Sequence, residues 1–185
     1  MKLQVATEAQ DEQNLAFYIA NTSQLNKTIF SDKEFDFISN KLEETADEWI
    51  SINQYSRQIY ICRYKKHTPE TYQFSESTRK MGASLAELLN KEKSTSVTVN
   101  AYGHESFIAE GMDLGNYKYL KYVSDEKAKP TLIEAFFLNI SEEKLNEVAE
   151  LTKAVAFSRD LVNTPVWDLT APQLAQAAVA SAKDN

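Results

Sequence analysis

The sequence is short of the residues on which several kinds of functional site depend. Its 185 residues include a single cysteine, Cys62, which excludes both an internal disulfide and a four-cysteine zinc site. Glycine occurs only four times, which leaves little material for the loops that cradle phosphate groups. His67 and His104 are the whole supply of imidazole. Sites built on clustered thiols, imidazoles or glycine loops are therefore disfavoured.

Positive charge and long apolar runs are also scarce. The chain has 20 basic against 27 acidic side chains and a net charge of −7, so we expect no nucleic-acid partner. No run approaches about 18 consecutive apolar residues, and the N-terminus has no apolar core, so we expect neither a membrane span nor a secretory signal. A cytoplasmic location follows as the default. We interpret the basic side chains in the middle of the chain as solvated faces: Arg57, Arg63, Lys65, Lys66, Arg79 and Lys80.

Short β-rich segments alternate with amphipathic helical patterns over residues 1–140. Ser31 and Glu34 have the spacing of a capping box that starts a helix, and 68–70 (Thr-Pro-Glu) is a second helix start. The alternation predicts an α/β domain with a mixed sheet flanked by helices. Strands are expected over 3–6, 14–20, 49–52, 58–62, 96–99 and 131–138, and helices from Ser31, near Ser75 to Asn90, and over 104–115.

A long helix is expected over 141–163, ending before Pro165 because the residue preceding a proline avoids the α region. Its inward stripe is expected to be Leu145, Val148, Thr152, Val155, Arg159 and Val162. The alanine-rich helix that follows Thr170 has little to pack on, so residues 164–185 are expected to be poorly packed and to begin an unfinished unit. The predicted division is therefore a domain over 1–140, a connecting helix over 141–163, and the start of a further unit over 164–185.

The groups capable of chemistry do not combine into a known catalytic pattern. Cys62 lies within a predicted strand, where a thiol is usually a small buried side chain and not a nucleophile. His104 starts a helix and could contact a ligand, although a solvent-facing or capping role is favoured. Neither a metal-ligand spacing nor a phosphate-binding glycine motif occurs. Residues 117–122 alternate tyrosine with lysine like a nucleic-acid stacking platform, but in this acidic chain we interpret them as a turn that covers the core.

Three stretches carry a more specific signal. They are Arg79-Lys80-x-Gly82, residues 109–119 (AEGMDLGNYKY), and residues 156–165 with 168–175 (AFSRDLVNTP and DLTAPQLA). In order and spacing they resemble the R-K-x-G, E-G-x-x-L-G-x-Y-x-F/Y and R-D-L-x-N-x-P…T-P-x-x-L-A segments of the cytosolic leucyl aminopeptidases, peptidase family M17. The resemblance covers residues 76–185, and upstream of that only the order of elements matches. Trp167 and Asp168 stand where the family more often has small or polar residues.

The resemblance implies an N-terminal domain similar to macro domains, followed by a catalytic domain. In that family the catalytic domain binds two divalent metals, zinc or manganese, through Asp, Glu and Lys ligands. The present chain ends before the positions where those ligands would stand. The resemblance therefore implies no catalytic, cofactor-binding or metal-binding residue within 1–185.

The leading hypothesis is the non-catalytic N-terminal domain of an enzyme that removes N-terminal residues, preferably leucine, with a metal-activated water. The resemblance also implies a homohexamer in which these domains lie outside a catalytic core and help assembly and active-site access, and the chain alone is expected to be inactive. The alternative is a macro-like module that binds a nucleotide or ADP-ribose, against which Gly103, Gly111 and Gly115 are scattered and not grouped in a loop. Calorimetry with ADP-ribose separates these hypotheses. A structural protein without any catalytic half is the third.

Overall fold

A six-stranded sheet runs through the molecule, in the order β1-β6-β5-β2-β4-β3. The computed structural model describes residues 1–9, 12–45, 48–64 and 72–184. The strands are β1 (Lys2–Val5), β2 (Leu15–Ile19), β3 (Ile50–Asn53), β4 (Gln58–Arg63), β5 (Ser96–Asn100) and β6 (Glu134–Phe137). All neighbouring strands pair in parallel except β3, which is antiparallel to β4 at one edge. The predicted α/β class with a mixed sheet is confirmed.

Helices cover both faces of this sheet. They are α1 (Asp32–Glu44), α2 (Tyr72–Lys91), α3 (Glu105–Asn116), α4 (Glu142–Asn163) and α5 (Ala171–Asp184). On one face α1 buries Ile38 and Leu42 against β2 and β4, and on the other face side chains of α2, α3 and α4 form the larger core cluster. The central strand β2 is buried along its whole length, as its continuous apolar sequence predicts.

The helix-start signals are confirmed where the structure describes them. The Ser31 Oγ accepts the Glu34 N–H at 3.3 Å, and the Glu34 carboxylate accepts the Ser31 N–H at 2.7 Å, which completes the capping box. The Ser31 N–H and the Ser31 hydroxyl, which donates to the same carboxylate at 2.7 Å, lower the pKa of Glu34. The predicted start at residues 68–70 lies outside the described residues, as does His67.

The strand expected over 131–138 is shorter than predicted, and its first residues have a different role. Asn90 Oδ1, at the end of α2, accepts the backbone N–H groups of Thr131 at 2.7 Å and Leu132 at 3.1 Å. The backbone N–H groups of Thr131 and Leu132 therefore bond to the end of α2 and not to a neighbouring strand. Hydrogen bonding to the neighbouring segment starts with the Ile133 N–H, which donates to Thr95 O at 2.8 Å. Only Glu134–Phe137 form the strand.

The long C-terminal helix is present as Glu142–Asn163, capped by Ser141. Its predicted inward stripe is fully buried only in the first half, at Leu145, Val148 and Thr152. Val155 and Arg159 are partly buried, whereas Val162 is 86% exposed, so the prediction is wrong for Val162, where the helix runs on past the packed part of the molecule.

The C-terminal segment packs poorly, as expected. None of the α5 side chains that the structure describes is buried. The division of the chain at 140 and 163 stays a prediction. Within the described residues, no helix is both long enough and apolar enough to cross a membrane.

Candidate functional site

Glycines allow α2 and α3 to cross with their backbones in contact. A Cβ atom at Gly111 would lie 1.9 Å from the carbonyl oxygen of Arg79, and one at Gly82 would lie 2.3 Å from that of Ile108. No side chain fits at such distances, so both positions require glycine. Gly115 belongs to the same crossing, since its Cβ would lie 2.8 Å from Ala83 Cα. The helix α3 ends one residue later, at Asn116, close to the predicted end at residue 115.

An ion pair closes the same helix crossing. Arg79 Nε lies 2.7 Å from Glu110 Oε2, and the Arg79 guanidinium carbon lies 5.2 Å from the ring centroid of Phe107. Phe107 is partly buried. The R-K-x-G and E-G segments singled out in the sequence are thus the two sides of one contact.

The end of α4 docks on the end of α3 through Arg159. Arg159 Nη1 donates a hydrogen bond of 2.8 Å to Leu114 O, a carbonyl in the last turn of α3. Carbonyls in a final turn have no partner within their own helix, and a cation is favoured at that negative end of the helix dipole. The Arg159 guanidinium carbon also lies 5.3 Å from the ring centroid of Tyr117.

Three tyrosines from the segment after α3 then hold the end of α4 and the loop that follows it. Tyr117 donates to Asp160 Oδ1 at 2.6 Å, and Tyr119 Oη lies 2.9 Å from Thr164 Oγ1. The Tyr122 hydroxyl donates to Asp168, a contact that lowers the pKa of that carboxyl, and Lys121 Nζ lies 3.3 Å from Asp168 Oδ2.

These contacts correct the interpretation of residues 117–122 as a turn that covers the core. Tyr122 is 50% exposed. The hydroxyls of Tyr117, Tyr119 and Tyr122 bond to α4 and to the loop after it, so the segment is a clamp. We call the contact of residues 114–122 with 159–168 the junction.

At the junction and beyond it, the chain presents apolar side chains to solvent. Val162, Val166 and Trp167 are 86%, 75% and 74% exposed. Leu174 and Val179 of α5 are also exposed. Contiguous exposed apolar surface of this kind marks an interaction site more often than a free surface.

The two candidate nucleophile or base residues have packing roles. Cys62 is fully buried within β4, as the sequence predicts. His104 is the N-cap residue of α3, but its side chain makes no capping hydrogen bond, so the capping interpretation is wrong. Its ring instead packs edge-on at 4.9 Å from Phe74 and 5.2 Å from Tyr64, measured between centroids. Burial there lowers the pKa of His104.

The residue after that histidine, Glu105, carries a buried carboxylate that sequence reasoning missed. Glu105 accepts the N–H groups of Ala101 at 3.0 Å and Gly103 at 2.9 Å. Burial raises the pKa of Glu105, and these hydrogen bonds act in the opposite direction. The carboxylate therefore fixes the turn between β5 and α3. Among the residues that the structure describes, no group of three or more His, Cys, Asp or Glu side chains could hold a metal ion.

Neither a family model nor a curated protein matches the sequence. Solved structures of aminopeptidases do match the fold. A mutant of tomato leucine aminopeptidase has a TM-score of 0.75 at 18% identity, over 100% of this chain and 42% of that one. The bottromycin maturation enzyme BotP, in complex with Mn, has a TM-score of 0.62 at 16% identity, over 89% of this chain and 35% of that one. The Caenorhabditis elegans leucine aminopeptidase LAP1 has a TM-score of 0.57 at 13% identity, over 97% and 40%.

The chain thus has the fold of the part of these solved structures that it covers, two of which are leucine aminopeptidases. It spans 42%, 35% and 40% of their lengths. At such identities the likeness concerns the fold alone.

Proposed function

We propose that this chain is the non-catalytic N-terminal part of an M17-type leucyl aminopeptidase. The observation that carries the proposal is the junction. All three stretches that resemble the family meet in one continuous set of contacts, from the Arg79–Glu110 ion pair through Arg159 to Asp168. The fold likeness to leucine aminopeptidases over the whole chain supports it.

The proposed role of the chain is assembly of the enzyme and control of access to its active site. Exposed apolar side chains at the junction and after it support this role. The most exposed are Val162, Val166 and Trp167. An exposed valine or tryptophan side chain gains about 1.5–3 kcal/mol when it is fully buried. A following catalytic domain, together with sister subunits of a homohexamer, would cover this surface.

The proposed activity of the whole enzyme is hydrolysis of N-terminal residues by a water bound to two divalent metals. Among the described residues, no group of three or more acidic, histidine or cysteine side chains could hold a metal. The proposal places the two metals in the catalytic domain. The proposed contribution of this chain is to position the catalytic domain. The chain alone is proposed to be inactive, and its proposed location is the cytoplasm.

Activity and mass together test the proposal. The complete reading frame that contains this chain is expected to hydrolyse a leucine anilide with added Mn²⁺ and to form a hexamer by light scattering. Purified 1–185 is expected to do neither. Metal-dependent hydrolysis by 1–185 alone would refute the non-catalytic role.

A matched pair of variants of the complete protein tests the assembly role. Trp167→Ser removes a side chain that is 74% exposed at the junction, and Tyr55→Ser removes one that is 101% exposed in the β3–β4 turn. Trp167→Ser is expected to lower the hexamer fraction and the activity together, whereas Tyr55→Ser leaves both unchanged. Equal behaviour of the two variants would count against assembly through this surface.

A further inference from the structure

Six lysines surround one concavity in this otherwise acidic molecule. The concavity has a volume of about 740 Å³ and lies between α2, the segment after α3, and the segment that leads to β6. Its basic lining residues are Lys80, Lys91, Lys93, Lys118, Lys127 and Lys129. Glu87 is the one acidic residue among the lining residues. We call this concavity the lysine basin.

The basin lysines differ in whether a carboxylate lies beside them, as do the lysines elsewhere in the described part of the chain. Lys41, Lys144 and Lys153 each pair with a glutamate on their own helix. In the basin, Lys129 lies 2.8 Å from Glu126, and Lys80 lies 3.8 Å from Glu76.

Within the described residues the other four basin lysines make no ion pair: Lys91, Lys93, Lys118 and Lys127. The nearby Asp125 carboxylate accepts the backbone N–H of Lys127 at 2.9 Å. Ammonium groups gathered without counter-charges repel one another, and a bound anion relieves that repulsion.

The backbone beneath the basin is held rigidly. Asn90 Nδ2 donates to Asn116 Oδ1 at 2.8 Å, and Asn116 Nδ2 donates to Leu132 O at 3.1 Å. The ends of α2 and α3 are thereby tied to the residues before β6. The lysines are therefore carried by three segments that these hydrogen bonds hold together. Less backbone conformational entropy is then lost when a ligand binds.

The composition of the lining selects the chemistry of the ligand. Lysine presents a compact point charge that pairs with phosphate and carboxylate alike, but a phosphate group carries up to about two negative charges where a carboxylate carries one. The described lining residues include no aromatic side chain, so they offer no platform on which a base could stack. A single compact basin on a chain of net charge −7 also differs from the extended basic track that a nucleic acid needs.

We propose that the lysine basin binds a small anion that carries several phosphate groups. The site is separate from the exposed apolar surface of the proposed assembly role, and it does not depend on that role. Lys118 lies beside Tyr117 of the junction, so the bound anion would sit next to the clamp on α4.

Calorimetry with tripolyphosphate at low ionic strength tests the basin directly. We expect one ion per chain, with Kd raised about tenfold or more by the triple variant Lys91→Gln, Lys118→Gln and Lys127→Gln. A control triple variant loses the same charge outside the basin: Lys33→Gln, Lys144→Gln and Lys153→Gln. It is expected to change Kd less than about twofold, and thermal unfolding verifies that both variants fold.

One further variant and one further ligand complete the experiment. Glu87→Gln removes the one acid of the lining and is expected to tighten tripolyphosphate binding. Citrate, which carries several carboxylates, is expected to bind more weakly than tripolyphosphate. The proposal is overturned by the absence of heat at millimolar tripolyphosphate, by equal weakening in both triple variants, or by citrate that binds as tightly.

Discussion

At the scale of single residues, the glycines of the α2–α3 crossing set how closely two helices approach. Gly111→Ala would force a Cβ to within 1.9 Å of a backbone oxygen that cannot move without its helix. We expect this variant to lose about 3 kcal/mol of unfolding free energy in urea titrations. Gly103→Ala is the control, since no atom lies within 4 Å of its Cβ and only the positive φ of +100° is strained. Its cost is expected to be about 1 kcal/mol, and equal losses would show that the crossing is not sterically fixed.

Protonation of the buried His104 ring makes the free energy of unfolding depend on pH. Burial lowers its pKa in the folded chain below the unfolded value of 6.5. As pH falls through 6.5, the unfolded chain takes up a proton that the folded chain resists, so stability decreases towards acid pH. Above that range both states are neutral and His104 contributes no pH dependence.

The variant His104→Phe isolates this contribution, because it keeps a ring against Phe74 and Tyr64 but cannot titrate. Urea midpoints are to be measured from pH 7.5 to 5 for both proteins. The wild-type midpoint is expected to fall more steeply than that of the variant, whose remaining slope reports other groups such as Glu105. Parallel curves would rule out a proton-linked role for His104.

At the scale of elements, the contact between α3 and α4 rests on one arginine. Arg159→Met keeps an unbranched stem but leaves the Leu114 carbonyl without its donor. We expect a loss of about 1 kcal/mol in unfolding free energy and faster hydrogen exchange in residues 117–122. Lys153→Met on the same helix removes an exposed pair at 3.5 Å and is expected to change little. If the two variants lose equal stability, Arg159 does not anchor the helix.

The helix α5 is expected to open readily in the isolated chain. It has 14 residues, and none of its described side chains is buried. A helix of this length is marginal without tertiary packing. Amides of residues 174–182 are therefore expected to exchange far faster than those of α2. Protection of that segment at the level of α2 in a dilute monomer would contradict the claim that it needs a partner.

The same elements show what local sequence determines. The Ser31 capping box, the apolar strand β2 and the end of α4 before Pro165 depend on residues within a few positions, and all three were predicted. The shortened strand β6 was not, because Asn90 reaches Thr131 and Leu132 from a distant helix end. The exposed end of α4 and the lysine basin also depend on which segments meet, and helical spacing carries no information about that.

At the scale of the whole molecule, the chain divides into a packed body and an exposed extension. The sheet with α1, α2, α3 and the first half of α4 holds the buried residues, while 162–179 carries exposed valine, leucine and tryptophan. The junction connects the two through side chains on both. The proposed assembly role rests on this exposed extension.

The sequence of the gene on the 3′ side of the codon for Asn185 tests that claim most directly. The account predicts that the frame continues into a segment longer than this chain, with the clustered Asp, Glu and Lys codons of a two-metal site. A stop codon immediately after Asn185 would contradict it, since the exposed surface would then have no catalytic domain to position.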